Sequence, residues 1–393
     1  MSATTTRKKR VVIAGFGDSG LTAAVHLASN SELEIVGITP KMCHASGQEL
    51  GGRLAQPALW KELYLLPFDA YRQLDRVRMV YGLATRIDLE RQAVHVSLPD
   101  GSAQEEPYDA LLIASGVSSG FWRTAHIESR SAMERAVQVD HEALAAARTF
   151  AVVGAGASGV SAAYNVAFRF PSCAVHLFCS GEEVLPGYNP RTQRAVREHL
   201  RRAGVIVHTQ HRAVLPDGSP SERLRREPIA WVSPSGEPSF EADLVLWAVG
   251  HARPNSGFVP AELLDASGFV LVDQHLRAGG KDTVFALGDV AVPSARTLGS
   301  RRSSARQAED GGHILHRRLT RCAHPLATTA GRSRLPTSPR CSSAGRAPSC
   351  AGTRRHNIDG APSSGSGMAV PSRCSQRHHP AASSCPADFY SDL

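Results

Sequence analysis

Six glycines, in two sets of three, carry the clearest chemical signal in this sequence. Gly15, Gly17 and Gly20 follow the apolar run 11–14, and Gly154, Gly156 and Gly159 follow the apolar run 150–153, with a helical pattern after each. In this G-x-G-x-x-G spacing the first glycine permits a tight turn and the second lets a pyrophosphate approach the backbone. The third lets helix and strand pack closely. The helix that follows offers unpaired N–H groups and partial positive charge to phosphate oxygens. Either run alone could be a glycine-rich turn that binds nothing; a strand before and a helix after give it meaning. Two complete copies about 140 residues apart argue for two dinucleotide-binding domains in one chain.

The elements that must position these turns can be read around them. Residues 34–39 (EIVGIT) form the second strand of the first unit and end in Thr39-Pro40-Lys41, without the acid that often holds a ribose hydroxyl there. Residues 46–60 are polar and glycine-rich before turning apolar, which suits a loop near a ligand. Arg53 is the fixed charge at their centre, readable as a contact to flavin or pyrophosphate or as a solvated surface arginine. Segments 79–81, 84–88 and 93–98 alternate like antiparallel strands, with turn chemistry at Pro99-Asp100-Gly101. Residues 108–116 (YDALLIASG) read as a buried strand ending in small residues that would let the chain pass close to a cofactor.

In the second unit, residues 174–179 form the next strand, again without a terminal acid, and Ser180, Glu182 and Glu183 follow. No Arg or Lys is adjacent to take a 2′-phosphate, which favours NADH over NADPH. A helix is expected over 191–203, a strand over 205–208, and a strand over 242–249 closed by Gly250. Residues 282–291 (DTVFALGDVA) form a strand ending in Gly288-Asp289, which sets a carboxylate at the mouth of a sheet. That carboxylate could accept hydrogen bonds from a polyol such as a ribityl chain, or simply cap a helix expected over 302–319.

Bulk properties bound the partners. The formal charge of +8 would suit a nucleic acid or an anionic surface, but its distribution argues otherwise. Residues 301–393 hold 14 Arg and 5 Asp or Glu, a net of 14 − 5 = +9, which leaves 8 − 9 = −1 for residues 1–300. The patterned part is near neutral, so no nucleic-acid partner is expected. None of the 8 cysteines forms a CxxC pair, so neither a redox dithiol nor a zinc pair is expected. With no secretory signal and no apolar run near 18 residues, the expectation is a cytoplasmic protein without a spanning helix. Peripheral membrane contact stays open, and the sequence does not give an oligomeric state.

The order GFGDSG (15–20), YDALLIASG (108–116), GAGASG (154–159) and VFALGD (284–289) resembles the pyridine nucleotide–disulfide oxidoreductases. The likeness, over residues 10–320, is to members without a redox disulfide: type II NADH dehydrogenases and relatives of apoptosis-inducing factor. It implies an α/β fold with two Rossmann-like domains, an FAD domain split into 1–125 and 251–320 around an inserted NAD(P)H domain at 126–250. It implies FAD on Gly15, Gly17 and Gly20, with the main chain near Ala84 at adenine, Ala114 and Gly116 lining the site, and Gly288-Asp289 on the ribityl chain. NAD(P)H would sit on Gly154, Gly156 and Gly159, with Gly250 closing its pocket. The helix after Asp289 would point residues 304–307 at the flavin. The activity implied is hydride transfer from NAD(P)H to flavin, then electrons to a quinone, an electron-transfer protein or oxygen. A ferredoxin- or rubredoxin-type reductase and an NADH-binding redox sensor are the alternatives.

Departures are also visible. The family often carries Glu in the helix after the second glycine set, where this chain has Ser161. Cys43 lacks the flanking residues of the single-cysteine coenzyme A disulfide reductases and reads as structural. Past Leu319 the chain is rich in Ser, Arg, Pro, Ala and Gly with only Phe389 and Tyr390 as aromatics, so residues 321–393 cannot bury enough apolar surface to order themselves. The excess of Arg over Lys (39 to 5) suggests a GC-rich gene read out of frame from near residues 310–325, with a natural basic tail as the alternative.

Overall fold

A computed structural model describes residues 7–45, 50–118, 126–216, 224–232, 238–249 and 253–293. The chain enters in β1 (Lys9–Ala14), turns through the first glycine set into α1 (Asp18–Ala28) and returns in β2 (Leu33–Thr39). Val11, Val12, Ile13 and Ala14 are all buried, as expected for a central parallel strand covered on both faces. The ribbon of β3 (Cys43–Ala45) and β4 (Leu65–Pro67) brackets two short helices, α2 (Leu50–Ala55) and α3 (Pro57–Tyr64). Residues 50–60 are thus helical where a ligand-side loop was expected; burial of Leu54, Ala55 and Trp60 supplies the packing that holds them.

Strand β5 (Val77–Tyr81) pairs parallel to β2, so segment 79–81 belongs to the main sheet rather than to the antiparallel set. The antiparallel set is β6 (Leu83–Asp88), β7 (Ala93–Ser97) and β8 (Ala103–Pro107). Strand β9 (Ala110–Ile113) then re-enters the main sheet beside β1, and β10 (Val117–Ser118) leaves it.

Helix α4 (Arg130–Ala146) starts at Ser129, whose side chain accepts from Ala132 N. The second unit follows as β11 (Thr149–Val153), α5 (Ala157–Arg169), β12 (Ala174–Phe178), α6 (Pro190–Arg202), β13 (Ile206–His208) and β14 (Leu244–Trp247). Its four strands are parallel in the order β13-β12-β11-β14.

The chain then goes back to the first unit. Strand β15 (Arg253–Pro254) pairs with β10, and β16 (Val270–Val272) lies on β18 (Ala291–Pro293). Between the last two, β17 (Val284–Ala286) docks on β9 and completes the first sheet, in the order β17-β9-β1-β2-β5. The first doubly wound sheet is therefore built from both ends of the described chain, and the second is inserted within it. Hydrophobic clusters cover both faces of each sheet. The helix expected over 302–319 and the tail at 321–393 lie outside the described residues.

Candidate functional site

Each glycine set builds the same backbone device. Gly15 adopts φ +105°, where a Cβ would lie 2.4 Å from Ala114 O; Gly154 adopts φ +110°, where a Cβ would lie 2.5 Å from Ala248 O. Side chains are excluded at both by conformation and by contact. Gly20 and Gly159 sit where a Cβ would be 1.9 and 1.8 Å from the carbonyl oxygens of Gly15 and Gly154, so helix and turn touch. Gly17 and Gly156 differ: a Cβ at either would meet nothing within 4 Å. The middle glycine thus faces open space at the start of each helix.

That space is where the helix donors are. Gly17 is the N-cap of α1 and Gly156 the N-cap of α5, and neither helix has a side-chain cap. The first N–H groups of a helix need an acceptor, and a phosphate can provide it. Gly15 N donates to Ile38 O and Gly154 N to Phe178 O, both at 2.9 Å, so each turn is stitched to its second strand in the same way.

Residues far apart in sequence converge on the first turn. Gly288 has φ +79°, and a Cβ there would come 2.5 Å from Ser19 Oγ, so the 288–289 turn lies against the start of α1 and Asp289 is exposed beside it. Ala114 is buried behind Gly15, and Gly116 takes φ +66° with open space around it. Asn255 fastens this loop: its N–H donates to Gly116 O and its Nδ2 to Ser115 O, each at 3.0 Å.

A cavity of about 470 Å³ opens here, lined by Gly15, Pro40, Ala84, Ser115, Asn255 and Phe258 among others. This is within the size range of small-ligand sites. Ser115 Oγ is buried with no hydrogen-bond partner, an orphan that a bound polar group would satisfy. The residues present therefore fit an adenosine diphosphate moiety.

Two features of this site escaped the sequence. Asp18, His44 and Tyr71 form a chain: His44 Nε2–H donates to Asp18 Oδ1 at 3.0 Å, and in the neutral ring Nδ1 accepts the Tyr71 hydroxyl at 3.1 Å. Three separate elements supply these residues, so no local pattern marks them. Second, the missing acid after β2 is replaced by a mostly buried cation. Lys41 pairs with Glu128 at 3.8 Å, and burial pulls its ammonium below the usual lysine range.

Arg53 is not a solvated surface arginine. It is 6% exposed, with its guanidinium carbon 5.0 Å from the centroid of Trp60. Burial pushes it down to about 10, against Asp140 and Glu128 which pull it up, so it stays charged at neutral pH. It sits among Trp60 and these acids, and it does not line the 470 Å³ cavity.

At the second turn, Leu185 N donates to Ala155 O at 2.7 Å. Ala248 stands to Gly154 and Gly159 as Ala114 stands to Gly15 and Gly20, with its Cβ 3.3 Å from the Cβ position of Gly159. The sequence marks it only as the first residue of Ala248-Val249-Gly250, a twin of Ala114-Ser115-Gly116. Gly250 itself lies outside the described residues. Past β12, Ser180 and Glu182 are exposed, and Glu183 forms an ion pair with Arg197. Behind them, the imidazoles of His176 and His208 stack within an aromatic cluster with Phe178 and Phe240, and a ring N–H of one donates to the other at 3.0 Å.

The sequence profile of the pyridine nucleotide-disulphide oxidoreductases matches residues 9–312. The chain belongs to this family. Membership implies FAD and NAD(P)H as cofactors. Among curated relatives, oxidoreductase ptaL of Pestalotiopsis fici is 32% identical over 229 residues, covering 56% of this chain and 58% of its own. Apoptosis-inducing factor homolog B of Dictyostelium discoideum is 24% identical over 303 residues (72% and 75%). Type II NADH:quinone oxidoreductase NdhA of Mycobacterium tuberculosis is 28% identical over 329 residues (72% and 66%). The family member thus spans under two thirds of the length of two of these relatives. The water-forming NADH oxidase of Lactobacillus brevis shares the fold, with TM-score 0.59 at 19% identity over 79% of this chain and 69% of that one. So does the reductase–putidaredoxin covalent complex, at TM-score 0.62 and 22% identity (79% and 75%). Among the described residues no helix is long and apolar enough to cross a membrane.

Proposed function

We propose that this protein is a flavin-dependent NAD(P)H oxidoreductase, with FAD at the first glycine turn and NAD(P)H at the second. The observation that carries the reading is the repetition of one phosphate-accepting turn on two sheets, with a cavity of about 470 Å³ at the first. The redox chemistry is that of the bound cofactors, a hydride passing from nicotinamide to flavin. The protein's part is binding and orientation.

Gly17 N–H and the first turn of α1 would hold the FAD pyrophosphate, with Gly15 and Gly20 keeping the turn compact. Ala84 and Ser115 line the adenosine cavity, Ala114 and Gly116 let the chain pass close to the cofactor, and Asp289 would accept hydrogen bonds from the ribityl hydroxyls. Arg53 would act from behind, as a buried charge that orders the segment between β3 and β4. Gly154, Gly156 and Gly159 would hold the pyridine nucleotide, and Gly250 would close its pocket. Exposed Glu182, with no Arg or Lys next to it in the sequence after β12, favours NADH over NADPH.

The acceptor would be a quinone, an electron-transfer protein or oxygen, which steady-state assays with each acceptor would separate. The reading is tested by reconstituting the protein with FAD and adding NADH or NADPH without oxygen. The yellow flavin colour should bleach at one equivalent, at least about tenfold faster with NADH. Colour that persists with both nucleotides would refute it.

A further inference from the structure

Helix α2 is where the two halves of the molecule touch most closely, through α5. A Cβ on Gly51 would lie 2.3 Å from Ser161 O, 2.5 Å from Asn165 Nδ2 and 2.7 Å from Ser161 Oγ. Ser161 is itself buried, and Asn165 Nδ2 donates to Ser161 O at 2.9 Å, so the α5 surface facing Gly51 is fixed. The obstructing atom is backbone, and ordinary carbon contacts lie near 3.5 Å, so any side chain at 51 must part the helices by about 1 Å. In an isolated helix alanine would be better than glycine by about 1 kcal/mol. The glycine therefore answers to the crossing and not to the helix.

The rest of α2 is fastened to both halves. Leu54 is fully buried in the hydrophobic cluster of the second sheet. Its carbonyl accepts the Nδ1–H of His141 on α4 at 2.9 Å, since a carbonyl can only accept. Arg53, between them in sequence, stacks on Trp60, which packs in a separate cluster with Cys43 and Leu65 of the β3–β4 ribbon. A six-residue helix thus has one residue in each camp and a glycine at the crossing.

We infer that the Gly51–Ser161 crossing is a positioning contact, which sets the spacing between the two glycine turns and hence between the donor and acceptor rings. The inference rests on the proposed function for its kinetic consequence, though not for its geometry. Gly51 belongs to neither glycine turn and does not line the 470 Å³ cavity; it acts by letting α2 and α5 approach. Misplacing reactants by about 1 Å can cost on the order of 100-fold in rate.

The test uses FAD-loaded Gly51→Ala and Gly51→Val. FAD and NAD⁺ dissociation constants should stay within about threefold of the parent, while anaerobic flavin reduction by NADH slows by about 10- to 100-fold, more for valine. The long-wavelength absorbance of stacked nicotinamide and flavin should weaken in step. A crystal structure of Gly51→Ala should show α2 about 1 Å farther from α5 with both sheets unchanged. Reduction at the parent's rate, loss of either nucleotide, or an unmoved α2 would each overturn the positioning role. Failure of the parent itself to be reduced would instead sink the proposed function, leaving the crystallographic arm to decide the crossing.

Discussion

The two glycine turns share their glycine contacts and their hydrogen bond to the second strand, and differ in what surrounds them. Both have a first glycine near φ +105° to +110°, a third glycine against the first one's carbonyl, and an alanine from the next strand behind them. Around the first, three distant segments close in: the 82–85 corner, the 254–258 loop and the 288–289 turn, with the Asp18–His44–Tyr71 chain fixing the start of α1. Around the second, the described surroundings include exposed Ser180 and Glu182 and the buried Leu185, whose N–H donates to Ala155 O at 2.7 Å, with stacked histidines nearby. One backbone recipe is thus used twice, and side chains from the rest of the fold decide how tightly each copy encloses its ligand. On the proposed function, the enclosed turn keeps its FAD through many turnovers while the open one exchanges NADH for NAD⁺.

The comparison can be broken most forcefully at the third glycines. Gly20→Val or Gly159→Val forces a side chain into a carbonyl less than 2 Å away. Each should lower Tm by about 10 °C and abolish binding of one nucleotide, Gly20→Val that of FAD and Gly159→Val that of NADH. Calorimetry with separate titrations of each nucleotide checks this.

Arg53→Ala sharpens the asymmetry, because this cation sits in the segment between β3 and β4 of the first half. It removes the buried cation beside Asp140 and leaves Glu128 with Lys41 alone, so about 3 kcal/mol should be lost in chemical denaturation, with FAD binding weakened and NAD⁺ binding kept. A smaller effect is expected at the exposed Asp289. Asp289→Asn should weaken FAD about tenfold, on the scale of one charge-assisted hydrogen bond, in a fluorescence titration, and leave NAD⁺ affinity unchanged.

The smallest effect belongs to the second half. Burial pushes both His176 and His208 below the usual imidazole range, and His208 is lowered further by neighbouring His176 and His211. The unfolded chain then binds more protons than the folded one below about pH 6.5, so stability rises with pH there and is lost on acidification. Tm should fall by on the order of 2 °C between pH 7 and pH 5.5, and His208→Phe should flatten that slope. Differential scanning at several pH values reads it directly.

What the sequence made legible was the local part of this design. Strand–turn–helix continuity around both glycine sets, the returning strand with Gly288-Asp289, and the small residues Ala114 and Gly116 are patterns within a few residues, and each stands where the motif requires. The unreadable part depends on partners remote in the chain. Arg53 looks like a surface charge until Trp60, Asp140 and Glu128 are brought around it. Segment 46–60 looks like a loop because its glycines are judged without α5, against which Gly51 packs. Segment 79–81 alternates like an antiparallel strand, yet it pairs parallel with β2 at the edge of the first sheet. Ala248 is marked in the sequence only by the likeness of Ala248-Val249-Gly250 to Ala114-Ser115-Gly116.

The middle glycines offer the most direct test of two unlike nucleotide sites, because a side chain at Gly17 or Gly156 meets open space and leaves the fold intact. Visible spectra of purified Gly17→Leu and Gly156→Leu, before and after anaerobic NADH, are the decisive measurement. The account predicts a colourless Gly17→Leu that still binds NAD⁺, and a yellow Gly156→Leu whose colour survives NADH. A yellow Gly17→Leu, or a Gly156→Leu bleached as fast as the parent, would contradict it.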